Sequence, residues 1–182
     1  MTLRALAIAT LGLLSLGACV TAPSPSEVRA PQPLKPIEIS RFYEGRWLEI
    51  GRLPMRLTDG CVAAATIYTE ATSERVAVRD TCQAGSPQGK ERAITGSGTI
   101  MDPGTNAKLR VRYLAGLITW DYWVLDRADD YSWFISADPT FDKLWIYTRE
   151  APSPTLLASL VDRARALGYD TTRLEFPETA PE

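Results

Sequence analysis

The chain has 182 residues, 45% of them apolar and 23% charged, with a formal net charge of −2. That length and balance fit one globular domain with short appendages, and the charge leaves no basic footprint for nucleic acid. Histidine is absent, which removes Ser-His-Asp triads, Cys-His dyads, His-ligated metal sites and His general bases from the available chemistry.

Residues 1–18 read as a secretory signal. Arg4 gives a positive start, and Ala5 to Leu16 form an apolar run of 12 residues, too short to span a bilayer. The run ends in Leu16-Gly17-Ala18-Cys19, which resembles a bacterial lipobox. An ordinary signal peptide with a chance cysteine is the alternative. The lipobox implies that Cys19 is acylated and becomes the new N-terminus, a membrane anchor at ~0.8 kcal/mol per buried CH₂. Val20 stands where an aspartate would favour inner-membrane retention, so the resemblance implies the outer membrane. Residues 19–39 are then a lipidated N-terminus and tether. Five of the 17 residues in 20–36 are proline, a composition that stays extended without a packed core.

The domain proper runs over 40–177, with a tail at 178–182. Eight short strands are predicted at 46–53, 61–70, 75–82, 91–101, 107–114, 121–126, 131–136 and 143–149. The clearest period-two alternation is Leu109, Arg110, Val111, Arg112, Tyr113. Gly96 and Gly98 inside the fourth run suggest a bulge or sharp bend. The second and third strands make a hairpin around Ala71-Thr72-Ser73-Glu74, which brings Cys61 and Cys82 to one end. An exported chain meets oxidising conditions, so these two are expected to form a disulfide. Its loop of about 20 residues would contribute ~3 kcal/mol in the chain-entropy model. Two cysteines without histidine make a poor zinc site, and neither metal nor cofactor is expected.

Many short strands with turns between them imply a sandwich or an up-and-down barrel, and eight antiparallel strands can close around one small ligand. After them the period changes. Leu156, Leu157, Leu160, Val161, Ala164 and Leu167 share a helix face, with Ser153 as cap, Pro154 in the first turn and Gly168 as stop. This helix is expected to pack outside the barrel. Residues 173–176 suggest a short last strand.

Three blocks resemble the lipocalin family. Gly45-Arg46-Trp47 followed by "LEIGRLP" is similar to the family's first block; "DYWVLDRADDY" (121–131) and "LWIYTRE" (144–150) are similar to two later ones. Ala128 stands where the family often has an aspartate. The lipobox and the helix ending "LGYD" place the resemblance with bacterial outer-membrane lipoprotein lipocalins, a branch related to apolipoprotein D and the plant temperature-induced lipocalins. The resemblance implies an eight-stranded antiparallel up-and-down β-barrel with one C-terminal helix outside. It also implies a non-enzymatic carrier of fatty acids or lysophospholipids in the cell envelope, facing the periplasm. A homodimer is left open.

In that frame Gly45, Trp47 and Arg149 form the closed end, with Arg149 over the tryptophan ring as a cation–π partner. If Trp47 faces inward, so do Glu49, Gly51 and Leu53; if Arg149 does, so do Tyr147 and Trp145. The candidate ligand-binding residues are Leu109, Val111, Tyr113, Tyr122, Val124, Trp145 and Tyr147, each of which could equally be ordinary core. Two alternatives stand beside the carrier. One is carboxylate chemistry using Glu49 with a second inward acid, Asp80 being the candidate. The other is an envelope lipoprotein whose filled barrel is a scaffold for protein interaction or inhibition.

Overall fold

The computed structural model describes residues 30–179. The signal, Cys19, the first part of the tether and residues 180–182 lie outside the described residues.

A one-turn helix α1 (Ile39–Phe42) leads into β1 (Gly45–Arg52), β2 (Cys61–Thr69), β3 (Arg75–Ala84), β4 (Lys90–Ile100), β5 (Lys108–Tyr113), β6 (Ile118–Arg127), β7 (Trp133–Ala137) and β8 (Leu144–Thr148), then α2 (Pro154–Ala166). Each strand pairs antiparallel with its sequence neighbour, and β8 pairs back to β1 to close the barrel. β6 starts at Ile118 and not at 121, which brings Trp120 into the wall. β7 starts two residues later than expected, because Tyr131 (φ 62°) sits in the turn before it. The expected last strand reduces to one bridge, Arg52 to Glu175.

Two apolar layers result. The interior holds Trp47, Tyr68, Val76, Val78, Leu109, Val111, Tyr113, Phe134 and Tyr147, together with Phe42 and Tyr43 from α1 and the turn after it. The outer layer joins Leu48, Ile50, Leu125, Ile135, Leu144 and Ile146 to Leu160 and Ala164 of α2. β7 and β8 are buried at every position, since one face lines the barrel and the other lies in that outer layer. Hence "WFISA" and "LWIYT" read as continuous runs, whereas β5, with one solvated face, alternates. Ser153 Oγ accepts from the Leu156 amide at 3.2 Å, and Gly168 (φ 97°) ends the helical run.

Two expectations need correction. Gly96 and Gly98 mark no bulge, for β4 keeps an unbroken register with β3 and β5. They make room instead: a Cβ on Gly96 would lie 2.6 Å from Val111 Cγ1, and one on Gly98 2.7 Å from Val76 Cγ1. The other concerns residues 30–39, expected to belong to the tether, which lie against the barrel. Ala30 and Ile37 are buried, and the amides of Ala30, Leu34 and Ile37 donate to the carbonyls of Pro139, Leu125 and Thr105 at 3.1, 3.0 and 2.8 Å. At the other end the Glu178 amide donates to Val62 O at 2.7 Å.

Candidate ligand-binding site

One end of the barrel is sealed. Gly45 turns the chain into β1 at φ 69°, a left-handed conformation that an L side chain resists. A Cβ there would meet only Arg149 Nη1 at 3.5 Å, so backbone angle and not space calls for glycine. Trp47 is fully buried, and its Nε1 donates to Phe42 O at 3.1 Å. The Arg149 guanidinium carbon lies 3.6 Å from the Trp47 ring centroid. Its Nη1 donates to Glu44 O and Arg46 O at 2.7 and 3.0 Å, and its Nη2 to Arg41 O at 3.1 Å. One planar fork therefore serves carbonyls at the end of α1 and the start of β1 while stacking on the plug. Phe134 lies above this plug, 4.7 Å from the Trp47 ring, and Tyr147 stacks on Phe134 at 4.6 Å.

The other half encloses a cavity of about 250 Å³. Tyr113, Trp120, Tyr122 and Trp145 make an aromatic wall with ring centroids 5.1–6.4 Å apart. Ala64 and Ile94 face the same space, and Met55, Leu57 and Arg92 stand among its lining residues. Cys61 and Cys82, also on the lining, are joined as a disulfide with Cα atoms 5.5 Å apart.

A bulge in β1 shapes the polar part. β1 pairs Glu49 with Tyr147 and then Gly51 with Ile146, so Ile50 is an extra residue. The extra residue reverses the faces beyond it. Glu49 faces inward as expected, but Gly51 lies against the outward Ile146, Leu53 joins the outer layer, and Arg52 turns in. Arg52 Nη1 donates to Glu49 Oε1 at 2.8 Å, its Nη2 to Cys61 O at 2.9 Å and its Nε to Glu175 Oε2 at 2.9 Å. Burial pushes the Glu49 carboxyl above its usual range, against the pull of Arg52.

The second inward carboxylate is Asp80. Its Oδ1 accepts from Thr66 Oγ1 at 2.7 Å and its Oδ2 from the Tyr113 hydroxyl at 2.6 Å. The Tyr122 and Tyr113 hydroxyls are 3.1 Å apart, and those of Tyr147 and Thr66 3.4 Å apart. With Tyr113 and Thr66 each spending a proton on Asp80, two hydroxyl relays run toward the one carboxyl group. Burial raises the Asp80 carboxyl above the usual range, and the Tyr113 and Thr66 bonds pull it back down. Burial likewise pushes the phenols of Tyr113, Tyr122 and Tyr147 up, so they remain protonated donors. Among the described residues no cluster of three or more acidic, cysteine or histidine side chains could hold a metal.

The lipocalin-like domain family matches residues 37–179. The chain is a lipocalin. Temperature-induced lipocalin-1 of Arabidopsis thaliana is 31% identical to it over 159 residues, covering 82% of this chain and 83% of the plant protein. Among solved structures, insecticyanin from the tobacco hornworm Manduca sexta aligns with TM-score 0.61 at 16% identity, over 81% of this lipocalin and 84% of that chain. Lobster apocrustacyanin A1 aligns with TM-score 0.58 at 14% identity, over 87% and 93%. At such identities the likeness is one of fold. Family and barrel together suggest a carrier of small hydrophobic ligands.

The structure divides the seven candidate ligand residues by height in the barrel. Tyr113, Tyr122, Trp145 and Tyr147 line the cavity of this lipocalin. Leu109, Val111 and Val124 face inward but belong to the packed interior that also holds Phe42, Tyr43 and Trp47, and are not on the cavity wall. The cavity residues Thr66 and Trp120 were not among the candidates. Thr66 shares a face of β2 with Tyr68, and Trp120 one of β6 with Tyr122, so alternation carried through both full strands would have found them.

Proposed function

We propose that this lipocalin is a lipoprotein of the bacterial outer membrane, anchored through Cys19 and facing the periplasm. In this reading it stores or carries fatty acids or lysophospholipids and catalyses no reaction. It belongs with the apolipoprotein D-like lipoproteins that the lipobox and the "GRWLEIGRLP" block resemble. The observation that carries the reading is the aromatic-walled cavity above a sealed barrel end. A volume of about 250 Å³ takes roughly eight water-sized groups at ~30 Å³ each. Eight methylenes at ~0.8 kcal/mol correspond to a gross gain of about 6 kcal/mol, before the cost of association. The rest of a long acyl chain would run out past Met55 and Leu57. An anionic head inside would face Asp80 and Glu49, so a fatty acid is expected to enter tail first, its carboxylate toward Arg92 at the rim.

The filled half of the barrel is the observation that favours the scaffold alternative. Native mass spectrometry of the full chain in detergent, with palmitate and a lysophospholipid, separates the two. A retained one-to-one adduct supports the carrier, and an intact barrel that retains neither supports the scaffold. The intact mass tests the anchor: it should correspond to a chain beginning at an acylated Cys19, and an unacylated N-terminus refutes it.

A further inference from the structure

Two carboxylates line the same cavity in unlike circumstances, Glu49 buried and Asp80 half-buried. Glu49 has a cation, Arg52, at 2.8 Å. Asp80 has none among the described residues, and neighbouring Arg79 pairs with Glu91. Taking a carboxylate out of water is costly unless a cation or a full set of donors replaces the hydration. Asp80 has donors on both oxygens, yet two bonds leave about half of its four acceptor sites open. It is half-buried and lines the cavity, so the open sites have the cavity to face. The aromatic wall adjoins this carboxylate, since the Tyr113 hydroxyl that bonds Asp80 also lies 3.1 Å from that of Tyr122, whose ring is 5.1 Å from Trp145. Aromatic faces beside an acid are the surroundings a desolvated ammonium group favours.

We propose that the cavity is a site for a cationic amphiphile, an alkyl or arylalkyl amine of about eight to ten non-hydrogen atoms that enters head first and sets its ammonium against Asp80. The inference rests on the cavity being a ligand site at all, and specifies which head enters it. Such an amine supplies the missing counter-charge, donates to the open acceptor sites and lays its chain along Trp120 and Trp145. A carboxylate of equal length would put like charge against Asp80 and must bind the other way round or more weakly.

The test compares octylamine, 1-octanol and octanoate on the full chain in detergent below its micellar range, read by quenching of tryptophan fluorescence and by calorimetry. An alkylamine is protonated at pH 7, its pKa lying near that of lysine at ~10.4. The expected order is octylamine at least tenfold tighter than octanol, with octanoate weakest. Asp80→Asn should weaken octylamine until amine and alcohol bind within about twofold of each other. Equal amine and alcohol affinities in the native protein, or tighter octanoate, overturn the proposal while leaving the carrier reading intact; this arm needs no variant. Failure of all three to bind overturns both. An unchanged amine preference in folded Asp80→Asn shows that the acid is not the cause and also overturns the proposal.

Discussion

Replacing Arg149 by alanine tests the sealed end. The substitution removes the stack on Trp47 and the fork that serves four carbonyls, of which Phe42 O keeps the Trp47 Nε1 donor. Glu44 O and Arg41 O are bonded at the surface and regain water when the fork goes. Arg46 O is partly buried and is left short of a donor. An acceptor stranded in that way costs about 1–3 kcal/mol. A cation–π contact on a half-exposed arginine adds about 0.5–2 kcal/mol. The expected loss is therefore roughly 2–4 kcal/mol, or about 5–15 °C in Tm for a domain of this size. Lysine at 149 keeps a charge near the ring but only one directed contact, and should recover less than half of that loss. Urea unfolding followed by tryptophan fluorescence gives the free energy, and octanol titration gives the affinity. The affinity should stay within twofold, because Arg149 and the groups it holds lie on the far side of Phe134 and Tyr147 from the cavity. Unchanged stability, or weakened octanol binding at unchanged stability, would refute the division into a sealed half and a binding half.

Two further predictions concern the disulfide and the buried acids. Reduction of Cys61–Cys82, or its replacement by two serines, should lower stability by about 3 kcal/mol for a span of 21 residues, and a thiol reagent should label neither cysteine in the native protein; labelling of both would refute the bridge. The pH dependence has a definite sign. Asp80 and Glu49 are held above their unfolded values by burial, so above about pH 4–5 the folded chain binds more protons than the unfolded one and stability falls as pH rises. The contribution is fully present below the unfolded carboxylate range and disappears as pH passes the raised folded values. The depressed acids Asp129, Asp130 and Asp170 act at lower pH and leave this window alone. Asp80→Asn should flatten this fall just above the unfolded carboxylate range by up to ~1.4 kcal/mol per pH unit, and an unaltered slope would refute the assignment.

The barrel was legible because period two survives wherever one strand face is wet, as at Leu109, Val111 and Tyr113. The helix was legible from Ser153, Pro154 and Gly168. Alternation reports a face but neither height nor register. Leu109, Val111 and Val124 point inward, yet the aromatic side chains of Phe42 and Tyr43, brought in by a one-turn helix too short to leave a period, share the interior at their level. Ile50 carries no signal that it is an extra residue, so its bulge put Arg52 inside where Gly51 and Leu53 had been expected. Asp80 could have been read with more weight, for Val76, Val78, Asp80 and Cys82 follow one alternation. What the alternation could not show was whether a cation from another strand stood opposite, since that depends on pairing across the barrel.

The pairing of β8 with β1 also bears on how copies of this chain can meet. A sheet with an edge presents a row of free amides and carbonyls to any neighbour, and proteins that keep such edges must guard them. Here every strand already has two partners. Apart from Lys90–Thr95 of β4, which pair with β3 alone, a homodimer would have to be made from side chains, with exposed Leu34, Leu114 and Leu117 among the apolar groups on offer, and strand exchange between crowded copies would first require the barrel to open.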